Sequence, residues 1–304
     1  MSAHRNRRGV VLVTAVVFSA FLATLVVAGA LYIRDGLGLV AIGRDEVRSD
    51  GLIRAGVEMA GGFMINNPTF IGDGKPYDLS LGDGRVTVYA VSEDGKVDLN
   101  KADRLLIEGL FRVLGAGVAE ATFISNQIVT WREPSANRPL ATQAEAFRLN
   151  RGKSDQTKHP FRDPADLRNV PGISQKRVEQ ALPYVTVLSK GSTVYVLGAS
   201  ETVLAAMPGM SLERARQIIK IRRTSPSPMN LIRPLLGDAI NYVREDRGTA
   251  FSLLVETELE RGYRQAAEVV VVAAEEQDIP YHVVSWNSGS TAEAKLFTIR
   301  SSSR

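Results

Sequence analysis

The chain contains no cysteine. This excludes disulfides, thiolate metal sites, iron–sulfur clusters and cysteine nucleophiles. Histidine is almost as scarce: His4 lies in a polar N-terminal tail, His159 beside Pro160, and His282 in a strand-like run. A zinc centre or a Ser-His-Asp triad would have to be assembled from scattered parts, so hydrolytic and metal-dependent chemistry have no visible carrier. Aromatic residues make up only 7% of the 304 positions, while 44% are apolar and 23% charged. Those values are globular; they exclude a collagen-like, disordered or wholly membrane-embedded chain. The length suffices for one large domain or two modest ones.

The formal net charge of +4 is unevenly placed. Arg5, Arg7 and Arg8 account for three of the 37 basic residues, which leaves 34 against 33 acidic ones, a net +1 for the rest. A nearly neutral body argues against phosphate binding as the main role. The three arginines precede Gly9–Ile33, a run of 25 residues without a charge. As a helix it would be about 37 Å long, enough to cross a hydrocarbon core of about 30 Å. Arg34 and Asp35 after it cancel. The basic flank therefore predicts a cytoplasmic N-terminus, with residues 34–304 on the other side. A plain signal anchor or a long cleavable signal peptide fits the same run, although the run exceeds an ordinary signal-peptide core.

Beyond the membrane segment, residues 34–67 predict an amphipathic helix. Its apolar positions are Val47, Ile53, Val57 and Met59, and Asn66-Asn67-Pro68 is its stop. Gly36, Gly38, Gly43 and Gly51 weaken it, by about 1 kcal/mol each relative to alanine. Gly72–Pro76 reads as a turn, and residues 77–91 as a hairpin around Asp83-Gly84. Glu93-Asp94-Gly95-Lys96 gives a second hairpin signal ahead of Val97–Asn100. Residues 101–236 turn helical, with helices expected over 105–114 and from Val118 to Pro134 and a polar loop over 135–160. Strand patterns return at 251–259, 264–273 and 281–286, with Asp278-Ile279-Pro280 as a turn. His282 reads as a half-exposed strand residue.

The helical stretch carries an internal repeat. Leu167–Ser174 matches Leu204–Ser211 at an offset of 37 residues, each copy reading apolar–Pro–Gly–apolar–Ser before a helix. Pro-Gly makes a tight turn, and Ser174 or Ser211 is placed to N-cap the helix that follows. The unit resembles a helix-hairpin-helix, a motif that often meets DNA phosphates through its amides. Lys176, Arg177, Arg214, Arg216, Lys220, Arg222 and Arg223 stand near enough in sequence to assist. Against this, the neutral body favours a packed scaffold, with Arg222 and Arg223 as solvated charges at a helix end.

Arg7-Arg8-Gly9 followed at once by Val10 resembles the leader junction of type IV pilins and type II secretion pseudopilins. The resemblance implies cleavage by prepilin peptidase between Gly9 and Val10, retention of the apolar helix and N-methylation of Val10. Most such proteins carry glutamate at the fifth mature position, whereas here it is Thr14. A buried charge that docks one subunit on its neighbour is thereby absent. Further along, Lys96–Asn100, Ile128–Pro134, Phe161–Leu167, Leu182–Val187, the second hairpin and Val284-Ser285-Trp286 occur in the order found in the type II secretion minor pseudopilin K family. One departure is Val194–Ser200, where the family often has an Asn-rich strand with Thr-Ala.

That resemblance implies an α+β fold. A pilin-like long N-terminal helix and an antiparallel sheet would carry a large inserted all-α domain with two helix-hairpin-helix-like units. The expected segments are a leader (1–9), a transmembrane helix (10–33), the pilin-like helix and first strands (34–100), the inserted helical domain (101–236), C-terminal strands (237–287) and a flexible tail (288–304). It implies a non-enzymatic subunit at the tip of the periplasmic pseudopilus, single-pass in the inner membrane, with minor pseudopilins I and J, the secretion platform and prepilin peptidase as partners. No cofactor is expected from the residues. Calcium occurs in some relatives, but no Asp/Asn cluster has EF-hand spacing, and Asp94, Asp98 and Asp103 read only as available carboxylates. The competing reading is a membrane-anchored DNA-uptake protein that uses the paired hairpins; otherwise no nucleic acid is expected.

Overall fold

The computed structural model describes residues 5–67, 69–82, 84–132, 160–260, 262–274 and 280–289. Helix α1 runs unbroken from Arg5 to Asn66, 62 residues and about 90 Å, through the glycines expected to weaken it. Asn67 stops it: its carboxamide oxygen accepts from the backbone N–H of Thr69 at 3.2 Å and from the Thr69 hydroxyl at 2.7 Å. Pro68 of the expected stop signal lies outside the described residues.

Within the described residues, one five-stranded antiparallel sheet has the order β1 (Asp73–Leu81), β2 (Gly84–Ser92), β7 (Ala250–Leu259), β8 (Arg264–Ala273), β9 (Tyr281–Ser288). Alternation explains its inner face: Val86, Val88 and Ala90 of β2, Leu253 and Val255 of β7, and Val269 and Val271 of β8 are buried against α1. The helix meets them with Ile53, Val57 and Met64. Two glycines let it approach. A Cβ on Gly56 would lie 2.8 Å from Val86, and one on Gly61 only 2.6 Å from the Tyr281 ring. The helix face is thus corrected from the sequence expectation. Ile53 and Val57 point inward, but Val47 and Met59 are 72% and 48% exposed. The buried stripe is completed instead by small residues and by Ser49, whose hydroxyl shares a 2.5 Å hydrogen bond with Thr257.

The hairpin around residues 82–83 forms as expected, but β1 already begins at Asp73, inside the stretch read as a turn. Its register slips between Asp73 and Pro76, where proline cannot donate to the ladder. The second hairpin signal is overturned. Glu93–Gly95 is a 3-10 turn, and the two-residue strand β3 (Val97–Asp98) pairs in parallel with β4 (Val185–Thr186), far away in sequence.

The segment between β2 and β7 forms a second, helical body. It comprises α2 (Arg104–Val113), α3 (Val118–Arg132), α4 (Gln175–Ala181), α5 (Glu201–Ala206), α6 (Leu212–Thr224) and α7 (Met229–Leu236). A second parallel pair joins β5 (Val194–Tyr195) to β6 (Val243–Arg244). Leu106, Ile107, Leu110, Phe111, Ile124, Ile128, Leu204 and Ile218 fill a core separate from that beneath the sheet. At 1.5–3 kcal/mol for each fully buried large apolar side chain, roughly, either core can hold its own elements together. Helix α2 crosses the end of α5 at Gly109, where a Cβ would lie 1.9 Å from the Ala206 carbonyl oxygen. The expected polar loop and Pro134 fall almost wholly outside the described residues, as does nearly all of the expected tail; Ser288 still belongs to β9.

Candidate functional site: membrane helix, paired hairpins and the joint between the cores

Gly9 and Val10 lie within the backbone of α1, in its second turn. Residues 12–30 form the stretch long and apolar enough to cross a membrane, and none of it is buried within the protein. Thr14 lies in that stretch and is exposed. One N-terminal apolar helix of this kind fits a single-pass anchor.

Both repeat copies fold alike. Gly172 and Gly209 take positive φ values of 81° and 75°, as the Pro-Gly turn requires. Ser174 accepts from the backbone N–H of Arg177 at 3.4 Å, and Ser211 from that of Arg214 at 3.3 Å. Four of the seven basic residues, however, are bonded to the protein itself, while Lys176, Lys220 and Arg223 are exposed. Arg177 forms a two-pronged pair with Glu120, both bonds 2.8 Å, and donates to the carbonyls of Leu114 and Gly115, each 3.0 Å away. It thereby caps the C-terminal end of α2, and its hydrogen bonds hold the Glu120 carboxyl below the ordinary value. Arg214 donates to the carbonyl of Gly209, and Arg216 pairs with Glu201 at 3.0 Å. Arg222 is no solvated helix-end charge: it is 8% exposed and donates to the Ala199 carbonyl. Burial pulls its pKa down to about 10. The geometry therefore gives no support to the DNA reading. His282 lies on strand β9, as expected, but is exposed rather than half-exposed.

The motif residues of the sequence converge. Asn100 and Phe161 bond reciprocally, the Asn100 carboxamide donating to the Phe161 carbonyl at 2.9 Å and accepting from its N–H at 2.8 Å. Trp131 stands beside the Phe161 ring at 6.4 Å, and Arg132 donates to the carbonyls of Leu99 and Ala102. Asp163 and Asp166 form a capping box at the turn that leads to Leu167, which is fully buried. Segments near residues 100, 131 and 161 are thus fastened to one another.

Beside them lies the joint between the two cores, which sequence reasoning missed. Ser92, Glu93, Asp94, Asp98, Thr186 and Ser189 are all buried. Burial would raise the Glu93 pKa. The Lys96 ammonium 2.5 Å away and hydrogen bonds from Lys96, Ser252 and Thr186 outweigh it and hold the carboxyl below its ordinary range. Asp94 pairs with Arg244 and accepts from the Lys190 N–H at 2.7 Å and the Ser189 hydroxyl at 3.1 Å. Asp98 accepts from the N–H groups of Asn100, Lys101 and Ser189, yet burial dominates and raises its pKa. Asp103 caps α2 through the Leu105 N–H at 2.7 Å. These carboxylates are not free groups: each accepts hydrogen bonds from donors of the protein itself, Asp98 with both of its oxygens. Among the described residues, no group of three or more His, Asp or Glu side chains is placed to hold a metal ion. The only sequence hint was Asp-Gly, which reads equally well as a surface turn.

Residues 84–190 match the family model described as type II secretion system (T2SS), protein K. The chain is similar to type II secretion protein K. The matched stretch contains four of the motifs that carried the resemblance, from Lys96–Asn100 to Leu182–Val187, together with the joint carboxylates; the leader and the second hairpin lie outside it. The fold agrees with that resemblance. A chain of the GspK–GspI–GspJ complex from the type 2 secretion system of enterotoxigenic Escherichia coli has the same fold at a TM-score of 0.53 and 13% identity. The likeness covers 82% of this chain and 98% of that one. No curated protein matches in sequence. The long helix, antiparallel sheet and intervening helices are those of the K-type fold.

Proposed function

We propose that this chain is a non-enzymatic minor pseudopilin of K type, placed at the tip of a type II secretion pseudopilus. The observation that carries the reading is the helical body emerging between β2 and β7 of a sheet packed on a membrane-length helix, with the protein K match lying across that junction. Prepilin peptidase cuts between Gly9 and Val10 on the cytoplasmic side, and Val10 is methylated. Residues 10–33 then anchor the chain in the inner membrane with its bulk in the periplasm. A tip position agrees with Thr14, which brings no carboxylate to a neighbour within the bilayer, and with a bulky body that would obstruct a subunit stacked above.

Minor pseudopilins I and J are the expected partners, by analogy with the complex that shares the fold. The direct test is co-purification of the full chain with both from detergent, with mass spectrometry of its N-terminus. A ternary complex with a methylated Val10 is expected. An intact Met1 start, or this chain recovered along isolated pseudopili at the abundance of the major subunit, would reject the reading. Thr14→Glu should shorten or suppress filaments, since an unpaired carboxylate in the bilayer costs about 2.5–3.5 kcal/mol on insertion scales.

A further inference from the structure

The helical body and the sheet have separate apolar cores. Among the described residues the chain crosses between them twice, outward between Ser92 and Val97 and back between Arg244 and Ala250, and the buried side chains Ser92, Glu93 and Asp94 of the outward crossing are polar. Two bodies with independent cores and a narrow connection are expected to move against each other unless something specific prevents it. Here two consecutive carboxylates on the outgoing crossing act together: Glu93 bridges the two bodies, and Asp94 ties the crossing to the helical body. Glu93 accepts from Ser252 of β7 in the sheet and from Thr186 of β4 in the helical body. Lys96 supports it from the outgoing strand and also donates to Ser252 at 3.3 Å. Asp94 takes the Ser189–Lys190 turn of the helical body and pairs with Arg244 on the returning strand.

The backbone is fitted to the same place. A Cβ on Gly95 would lie 2.5 Å from the Gly198 carbonyl oxygen, and one on Gly248 would collide with the Asp94 carboxylate. Just beyond, Arg247 donates to the Met64 carbonyl at 2.9 Å near the end of α1 and stacks over Phe251 at 5.3 Å.

We propose that Glu93 and Asp94 form a double latch that holds the helical body in one orientation on the sheet and α1. Without the latch, the body swings as a unit about the two crossings while both cores stay folded. Charged hydrogen bonds suit this role because they are directional, whereas apolar contact tolerates sliding. The inference does not depend on the tip reading.

The absence of native cysteine makes the test direct. Spin labels at Ser80→Cys on β1 and Lys220→Cys on α6, both exposed, report the distance between the bodies in the full chain held in detergent micelles. The latched protein should give one narrow distance distribution. Glu93→Gln with Asp94→Asn should at least double its width, with the far-ultraviolet circular dichroism unchanged. A gentler pair, Thr186→Val with Ser252→Ala, deletes the hydroxyl donors to Glu93 but leaves Lys96 beside it, and should broaden the distribution less. Arg216→Ala, which removes an ion pair internal to the helical body, should leave the width unchanged. If the carboxylate variant does not fold, the hydroxyl pair alone decides. An unchanged width in the variants that fold overturns the proposal, as does equal broadening by Arg216→Ala.

Discussion

The two bodies of this protein reach similar burial by opposite means. Beneath the sheet, one long helix presents a scalloped stripe of Ile53, Gly56, Val57, Gly61 and Met64 to alternating residues of β2, β7, β8 and β9. Nearly every contact there joins residues far apart in sequence, as in the Ser49–Thr257 hydrogen bond. In the helical body, short helices are delimited locally by Asp103, Asp163, Ser174, Ser200 and Ser211, each capping the element it precedes. The difference shows that one chain can hold a core specified by long-range register beside a core assembled from capped local units, provided that they share no apolar seam.

The strongest way to break this separation is to empty each core in turn. Phe111→Ala and Phe251→Ala both delete fully buried rings, and each should cost about 3–5 kcal/mol. Hydrogen exchange should show protection falling in the helical body for the first and in the sheet and α1 for the second. Equal loss everywhere in both variants would mean that the bodies unfold as one.

A smaller effect sharpens the contrast between backbone and side-chain packing. Gly109→Ala forces a methyl group onto the Ala206 carbonyl, whereas Gly61→Ala forces one onto the Tyr281 ring, which can shift. The first should cost about 3 kcal/mol and the second about 1 kcal/mol, the two ends of the usual overpacking range. Denaturant midpoints of the two variants check the order, and a reversed order would contradict the close approach at Gly109.

The paired hairpins offer a matched test of local specification. Ser174→Ala and Ser211→Ala remove equivalent caps, and each should cost about 1 kcal/mol. If only one matters in thermal unfolding, the repeat is not symmetric in energy.

The smallest predicted effect is on pH. Glu93 has its folded pKa below the unfolded value of 4.5, so its contribution is complete above that value and is lost as pH falls through the lower folded one. Asp98 has the opposite sign: its folded pKa is raised above 3.8, so its contribution is present below that value and fades as pH rises through the folded one. The stability of the joint should therefore drop on acidification below about pH 4.5, partly offset by Asp98. Glu93→Gln should flatten the drop, as measured by exchange of the Lys190 amide between pH 6 and pH 3, roughly the window in which carboxylates titrate. An identical acid slope in the variant would assign it to other carboxylates.

These contrasts also explain what could be read from the residues alone. The hairpin serines, the Pro-Gly turns, α2, α3 and β8 follow from neighbours within a few positions, and the sequence shows them. The start of β1 at Asp73, the parallel pairing of Val97 with Val185 and the burial of Arg222 depend on partners dozens of residues away. Asp94-Gly95 carried the pattern of an exposed turn, and nothing local distinguishes that from a buried carboxylate awaiting Arg244. At the N-terminus, the cleavage proposed between Gly9 and Val10 rests on adjacent residues alone.

The neighbouring positions of β2 and β7 have one more consequence. Ser92, the last residue before the helical body, is paired across the ladder with Phe251, just after the chain returns. Antiparallel partners are only about 5 Å apart, so a turn of a few residues would close the same gap. The strand order of the sheet is the one it would have if the intervening helices had never been there. Topologically the helical body is a decoration at a hairpin tip, and such a tip can lengthen, shrink or be exchanged between relatives without any strand changing its neighbour.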